Sequence, residues 1–120
     1  MTKGVQGVAF YRYKTAKGRK YGQIVENYRE NGHHRQRVLY HVGPYRSLED
    51  AIAVLEHASS WAGAYGRDYQ RGAAQHLAQI CSIIAEHNVT YSEDEVRRLR
   101  GLSAGELERR NSNWSRGAPE

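Results

Sequence analysis

The stretch that decides the fold runs from Tyr21 to Gly43 and reads YGQIVENYRENGHHRQRVLYHVG. It contains two runs rich in Val and Tyr, Tyr21 to Arg29 and Arg35 to Val42, on either side of Asn31-Gly32. Asn and Gly both tolerate the positive φ angles that a two-residue hairpin turn demands. The stretch therefore predicts a β-hairpin closed by a tight turn at Asn31-Gly32.

The sequence upstream of the hairpin predicts one more strand. Val8 to Lys14 (VAFYRYK) is a short run rich in Val, Phe and Tyr, and Thr15 to Lys20 (TAKGRK) reads as a basic, Gly-containing loop. Three short strands joined in this way are typical of an antiparallel β-meander. Residues 1–46 are predicted to form this meander.

The rest of the chain is predicted to be helical. Ser47 is placed to cap the first helix, and Ser92 and Ser103 each open a Ser-x-x-Glu capping box. We expect a helical region over residues 47–110 and a flexible tail over 111–120, although Trp114 is able to dock on the body. Its helices are expected at about 48–62, 67–87, 93–100 and 104–110. The predicted class is α+β: a three-stranded antiparallel β-meander packed on a helix, followed by a helical extension.

Alternation divides the hairpin into two faces. A two-residue turn sets Val25 opposite Val38, which puts the apolar residues Tyr21, Val25, Val38, Tyr40 and Val42 on one side. The other side holds Ile24, Glu26, Tyr28, Arg35, Arg37, Leu39 and His41. We expect the first side to face the core and the second, with a Glu26–Arg37 pair, to be the exposed binding face.

Charge is unevenly distributed along the chain. The formal net charge is +5, but residues 1–48 carry ten Lys and Arg against two acidic residues, a balance of +8. Residues 49–120 carry eight Arg against eleven acidic residues, a balance of −3. A basic segment joined to a mildly acidic one favours contact between the meander and a polyanion. The alternative is a solvated surface on which Lys and Arg protect sheet edges from aggregation.

Several classes of function lack support in the sequence. No apolar run approaches the roughly 20 residues of a membrane span, and Cys81 is the only cysteine, expected as a small buried thiol on the apolar stripe of its helix. His33, His34 and His41 lie near one hairpin but have no carboxylate or cysteine at ligand spacing. With neither a phosphate loop nor a nucleophile elbow present, we expect no catalytic residue, no metal and no cofactor. The expected location is the cytoplasm.

The hairpin resembles a segment near the N-terminus of some insertion-sequence DDE transposases. There, a strand Y-x-x-I-V-E-S-Y-R is followed by a glycine turn and then by R-Q-R-V-L and L-G. The matching residues here are Tyr21, Ile24, Val25, Glu26, Tyr28, Arg29, Gly32, Arg35, Gln36, Arg37, Val38, Leu39 and Gly43. The segment is also similar to the start of small uncharacterised bacterial proteins in which helices follow the hairpin. The resemblance implies a DNA-contacting or accessory hairpin in mobile-element biology. It does not carry over transposition, because the spaced carboxylates of the catalytic domain are not found in this sequence.

The sequence thus predicts a small basic nucleic-acid-binding protein that uses its sheet face, with DNA favoured over RNA. The alternative is a protein–protein adaptor or inhibitor whose basic sheet engages an acidic partner. The stripe along residues 67–87 is expected to pack in the monomer, with a homodimer seam as the alternative. The predicted nucleic-acid contacts, led by Arg35, Arg37, Arg12 and Lys14, are Arg12, Lys14, Lys17, Arg19, Lys20, Tyr28, Arg29, Arg35 and Arg37.

Overall fold

The computed structural model describes residues 7–60 and 66–117. An antiparallel sheet of order β1-β2-β3 is formed by β1 (Val8–Ala16), β2 (Arg19–Glu30) and β3 (His33–Gly43). The helices follow as α1 (Leu48–Ser60), α2 (Gly66–His87), α3 (Glu93–Arg100) and α4 (Ala104–Ser115). The α+β class predicted from the sequence is confirmed. Residues 61–62, where α1 was predicted to end, lie outside the described residues. Within the described ranges, no helix combines the length and the apolarity that spanning a bilayer requires.

Both hairpins are closed by two-residue turns. Asn31 and Gly32 have φ angles of 52° and 80°, and Val25 pairs with Val38, so the predicted turn is confirmed. The predicted loop over Thr15 to Lys20 is wrong, because Ala16 pairs with Arg19 and only Lys17 and Gly18 form the turn. Lys17 has a φ of 54°, a left-handed conformation that lysine adopts rarely. The residues around Lys17 therefore did not predict a turn at this position.

The predicted choice of core face is also wrong. Ile24 lies in the main hydrophobic cluster with Val42, whereas Val25 lies on the opposite side of β2. Register shifts in the β2–β3 ladder leave Leu39 and Val42 of β3 without partners, as β-bulges do. The bulges change the alternation of β3, and as a result Leu39, Tyr40 and Val42 all pack against the core beneath the helices. Counting the apolar residues on each face from the sequence assumes regular alternation and therefore does not detect such bulges.

The helical layer packs on the Ile24 side of the sheet. Its core contains fully buried residues of α1 and α2, among them Leu48, Ala51 and Ile80. His76 of α2 lies against β3: its Nδ1 is 2.5 Å from the Tyr40 hydroxyl, and its Nε2 is 2.7 Å from the Val42 carbonyl oxygen. Because a carbonyl only accepts, Nε2 is the protonated nitrogen. Ala73 and Ile80 of the predicted α2 stripe are buried in the core of their own chain.

Cys81 is exposed, although the sequence predicts a buried thiol. Its helix contributes Ala73 and Ile80 to the core, with Leu77 and Ile84 partly buried, but the Cys81 thiol is exposed. Cys81 follows Ile80 directly and therefore lies about 100° further round the helix. The prediction that Cys81 is a buried thiol is therefore wrong.

The C-terminal segment folds further than predicted. Helix α4 continues to Ser115, so the flexible tail expected from residue 111 is wrong for residues 111–115. Asn111, Trp114 and Ser115 are buried. The Trp114 ring meets Tyr13 edge to face at 5.5 Å, and Ser115 donates to the Lys20 carbonyl at 3.0 Å. Helix α4 thereby closes over the β1–β2 hairpin.

A buried carboxylate joins the first helix to the last one. The Asp50 backbone N–H donates to the Ser47 hydroxyl at 3.0 Å, as predicted for an N-cap, and that hydroxyl donates back to the Asp50 side chain at 2.7 Å. Arg110 donates to Asp50 from Nε at 2.7 Å, and Asn111 donates from Nδ2 at 3.1 Å. Because Asp50 is fully buried, these partners are what make its charge tolerable.

Candidate nucleic-acid interface

The sheet has one side free of helices, which we call the outer face. Strand alternation places every second residue of β1 and β2 there, and the pairing register gives the residues of β3, in which the bulges interrupt the alternation. The side that packs on the helices is called the helix-side face. The outer face comprises Val8, Phe10, Arg12, Lys14 and Ala16 of β1, Arg19, Tyr21, Gln23, Val25, Asn27 and Arg29 of β2, and His34, Gln36, Val38 and His41 of β3.

The nine predicted contact residues do not form one surface. Those on the outer face are Arg12, Lys14, Arg19 and Arg29. Lys17 lies in the β1–β2 turn beside this face. The remaining four, which include Arg35 and Arg37 of the four leading contacts, are on the helix-side face: Lys20, Tyr28, Arg35 and Arg37.

Both carboxylates of the sheet are on the helix-side face. Arg37 Nη2 lies 2.7 Å from Glu26 Oε1, so the predicted Glu26–Arg37 pair is confirmed, and Arg35 Nε lies 3.7 Å from Glu30 Oε1. The Arg37 guanidinium also lies over the Tyr28 ring, at 5.0 Å from its centroid. Three of the residues assigned to the exposed face by sequence, Tyr28, Arg35 and Arg37, are therefore engaged with each other or with acidic neighbours.

Lys20 is similarly engaged on the helix side. Its Nζ lies 5.4 Å from the centroid of the Tyr13 ring and 5.5 Å from that of Trp114. Cation–π contacts of this kind contribute on the order of 0.5–1 kcal/mol at exposed sites. Lys20 thus helps to hold α4 against the β1–β2 hairpin.

The outer face carries cations and no carboxylate. Glu26 and Glu30 are the only acidic residues in the three strands, and both alternate to the opposite side. Lys14, Arg19 and Arg29 are exposed on the outer face. Within residues 7–60 and 66–117, no ion pair involves any of these three. The electrostatic potential there is set by unneutralised positive charge.

A chain of polar side chains crosses the outer face from strand to strand. Gln36 Nε2 donates to Asn27 Oδ1 at 2.8 Å, and Arg12 donates to Gln36 Oε1 through Nη1. Arg12 also donates to Gln23 Oε1 from Nη2 at 3.3 Å, and Gln23 Nε2 lies 3.3 Å from His41 Nδ1. We call these five residues, Asn27, Gln36, Arg12, Gln23 and His41, the amide chain.

The amide chain explains how Val25 is buried without a helix above it. Arg12 is level with Gln23, and Gln36 is level with Asn27. The Arg12–Gln36 bond therefore passes diagonally over the central strand at the level of Val25, whose relative exposure is 0%. The three amide residues, Gln23, Asn27 and Gln36, were not predicted as contacts from the sequence. Gln23 and Asn27 lie four residues apart in β2, a spacing that places them on one face and that was the available signal.

The helix-side face also carries a cleft. It has a volume of about 450 Å³ and lies between the sheet and the end of α2, lined by Glu26, Tyr28, Arg37 and His87 among others. Its most buried polar group, Glu26, already faces Arg37 and His87 Nδ1, the latter at 3.7 Å. In the part of the chain that the structure describes, no three His, Cys, Asp or Glu side chains are grouped to hold a metal ion.

Fold and surface together define a small α+β module that offers a basic sheet face beside a helical body. The model of the IS1634 family transposase N-terminal domain matches residues 11–80, which is more than half of the chain. The chain belongs to this family, and the resemblance seen in residues 21–43 is confirmed and extends from β1 into α2. This links the chain to mobile elements. Comparison with curated proteins gives no match, and neither does comparison with solved structures.

Proposed function

We propose that this chain is a duplex-DNA-binding module of a mobile-element protein and that it binds through the outer face. The observation that carries the proposal is the charge on that face: Lys14, Arg19 and Arg29 are exposed there, and the sheet's carboxylates are on the other side. Lys and Arg that neutralise phosphates release condensed counterions, which drives binding to DNA.

The dimensions of the sheet suit a DNA groove. Three strands spaced at about 4.8 Å give a backbone width of roughly 10 Å, and the major groove of B-DNA is about 12 Å wide. From Arg19 to Arg29 the central strand advances ten residue steps, about 33 Å, or close to one turn of duplex. The major groove of A-form RNA is too deep and narrow for side chains to read, which favours DNA over RNA.

The proposed phosphate contacts do not include Arg35 and Arg37. A phosphate would have to compete with Glu30 and Glu26 for them and would be repelled by those carboxylates. Arg12, Lys14, Arg19 and Arg29, with Lys17 in the adjoining turn, meet no such competition on the outer face. We infer no catalytic role for these residues, and the expected cytoplasmic location goes with this proposal.

The proposal is tested by titrating the protein against duplex DNA at several salt concentrations. The test variant is the triple substitution Lys14→Gln, Arg19→Gln and Arg29→Gln. The control is Arg71→Gln, Arg97→Gln and Arg109→Gln, which removes the same net charge from exposed helical positions. If each outer-face cation meets one phosphate, the test variant flattens the log–log salt slope by about 2.7, at about 0.9 per contact.

The outcomes separate the two candidate functions. The control should keep nearly the wild-type slope, because its charges lie away from the sheet. An equal loss in both triple variants would indicate a net-charge effect and place the contacts elsewhere. Absence of DNA binding at low salt would overturn the proposal and favour the adaptor or inhibitor function, in which the basic face meets an acidic protein.

A further inference from the structure

We propose that the amide chain reads base edges in the major groove, so that binding by the outer face is sequence-specific. This inference rests on the proposed function and deepens it. It assigns Gln36, Asn27 and Arg12 as the specificity-determining residues, and it assigns Gln23 as a positioning residue that holds Arg12. The exposed cations Lys14, Arg19 and Arg29 then act as phosphate contacts.

The chemistry of these side chains fits base edges. A carboxamide presents a donor and an acceptor side by side and pairs in bidentate fashion with N6 and N7 of adenine, and a guanidinium pairs with O6 and N7 of guanine. Gln36 and Asn27 are exposed and directly opposite each other across β2 and β3. They form adjacent readers at the same level of the sheet.

The side chains of the amide chain have donors and acceptors that are not used by the hydrogen bonds among them. An amide has two donor hydrogens and two acceptor lone pairs, and Gln36 uses one of each, toward Asn27 and Arg12. The remaining N–H and lone pair are available to a base. The existing bonds fix the rotamers of long side chains before DNA arrives, which lowers the entropy lost on binding.

The layout of the face supports this division of roles. On the outer face of β2, Asn27 lies between Val25 and Arg29. At its other end the amide chain reaches the pair of Arg12 and Gln23, and the next pair on this face is Lys14 and Tyr21. The cations are therefore at the two ends of the face, and the amides are between them. Phosphate contacts position a protein on DNA, while groups directed into the groove specify the sequence.

The experiment selects binding sites from a pool of duplexes with a randomised core. The probe is the full 120-residue chain, compared with Gln36→Met, Asn27→Ala and the phosphate-contact control Arg29→Gln. Methionine keeps the length of Gln36 and its cover over Val25 but removes the amide. Equal thermal midpoints of Gln36→Met and wild type establish that the variant is folded.

We expect the wild-type pool to converge on a preferred sequence. Gln36→Met should lose the preference at one or two positions and bind the selected site about 5- to 100-fold more weakly, with an unchanged salt slope. Arg29→Gln should weaken binding to all duplexes alike and flatten the slope by about 0.9, with the preferred sequence intact.

Failure of this inference is distinct from failure of the proposed function. Salt-dependent duplex binding without convergence of the pool, or a Gln36→Met variant that keeps the full preference, overturns base reading and leaves DNA binding in place. Tighter binding to single strands or to duplex RNA overturns the major-groove geometry. Absence of binding to every duplex overturns the proposed function itself.

Discussion

At the scale of single residues, Gly22 shows how closely the sheet and its covering side chains approach. A Cβ atom at Gly22 would overlap the phenol of Tyr11, which lies across β2. The Tyr11 hydroxyl donates to the Tyr45 carbonyl at 2.6 Å and links β1 to the segment before α1. Burial of the phenol, with the Asp50 carboxylate nearby, raises the pKa of Tyr11 well above its usual value. Tyr11 therefore acts as a neutral hydrogen-bond donor.

Gly22→Ala is expected to destabilise the fold. The added methyl group forces Tyr11 from its position, and overpacking of this kind costs about 1–3 kcal/mol of unfolding free energy. Chemical denaturation measures the change. Gly72→Ala is the matched control: a Cβ there meets nothing within 4 Å, and replacing an exposed helical glycine should stabilise by about 0.5–1 kcal/mol. A Gly22→Ala variant as stable as the wild type would contradict the close packing of Tyr11 on Gly22.

At the scale of elements, α4 depends on its predicted N-terminal cap. Ser103 Oγ accepts from the Glu106 backbone N–H at 3.1 Å, and the Ser103 N–H donates to the Glu106 carboxylate at 2.8 Å. Hydrogen bonds from the Ser103 backbone and side chain lower the pKa of Glu106 below its usual 4.5. The charged carboxylate is thus the form that stabilises the helix.

The contribution of Glu106 to stability should depend on pH. Because its pKa is lower in the folded state, the stabilisation is fully present above about pH 4.5 and is lost as the pH falls through the lowered value. We expect the difference in thermal midpoint between wild type and Glu106→Gln to be constant near neutral pH and to shrink in acid. Glu108→Gln, at an exposed α4 position outside the capping box, is the control. A difference that stays constant down to pH 3 would contradict this linkage.

At the scale of the whole molecule, the fold is closed by its C-terminal helix. Trp114 and Ser115 of α4 contact the β1–β2 hairpin, and Asn111 joins Asp50 of α1. These contacts connect residues that are 61 positions apart (Asp50 and Asn111), 95 positions apart (Lys20 and Ser115) and 101 positions apart (Tyr13 and Trp114). They support the strands that carry Lys14 and Arg19 from the side opposite the outer face.

Trp114→Ala is expected to loosen the hairpin and to weaken DNA binding indirectly. Truncation of a buried Trp costs about 3–5 kcal/mol, because it removes apolar contact and leaves a cavity. Hydrogen exchange of the β1 and β2 amides should accelerate in this variant. Asn113→Ala, at an exposed position one residue earlier, should leave exchange unchanged. Unaltered protection of β1 in Trp114→Ala would show that α4 does not support the hairpin.

Local signals in the sequence determined much of this protein. Asn31-Gly32 set the turn and its register, Glu26–Arg37 followed from that register, and Ser47, Ser92 and Ser103 marked the starts of helices. These features depend on residues that are close along the chain or paired through one turn. The uneven distribution of charge and the family resemblance were also present in the sequence.

Tertiary structure decided which face of the sheet is free. The bulges at Leu39 and Val42 change the alternation of β3, and a helical layer then covers the Ile24 side while a diagonal Arg12–Gln36 bond buries Val25 on the other. A count of apolar residues per face cannot distinguish burial beneath helices from burial beneath long polar side chains. That difference reassigns the candidate surface from Arg35 and Arg37 to the outer face, because packing over long sequence distances decides which charges are neutralised.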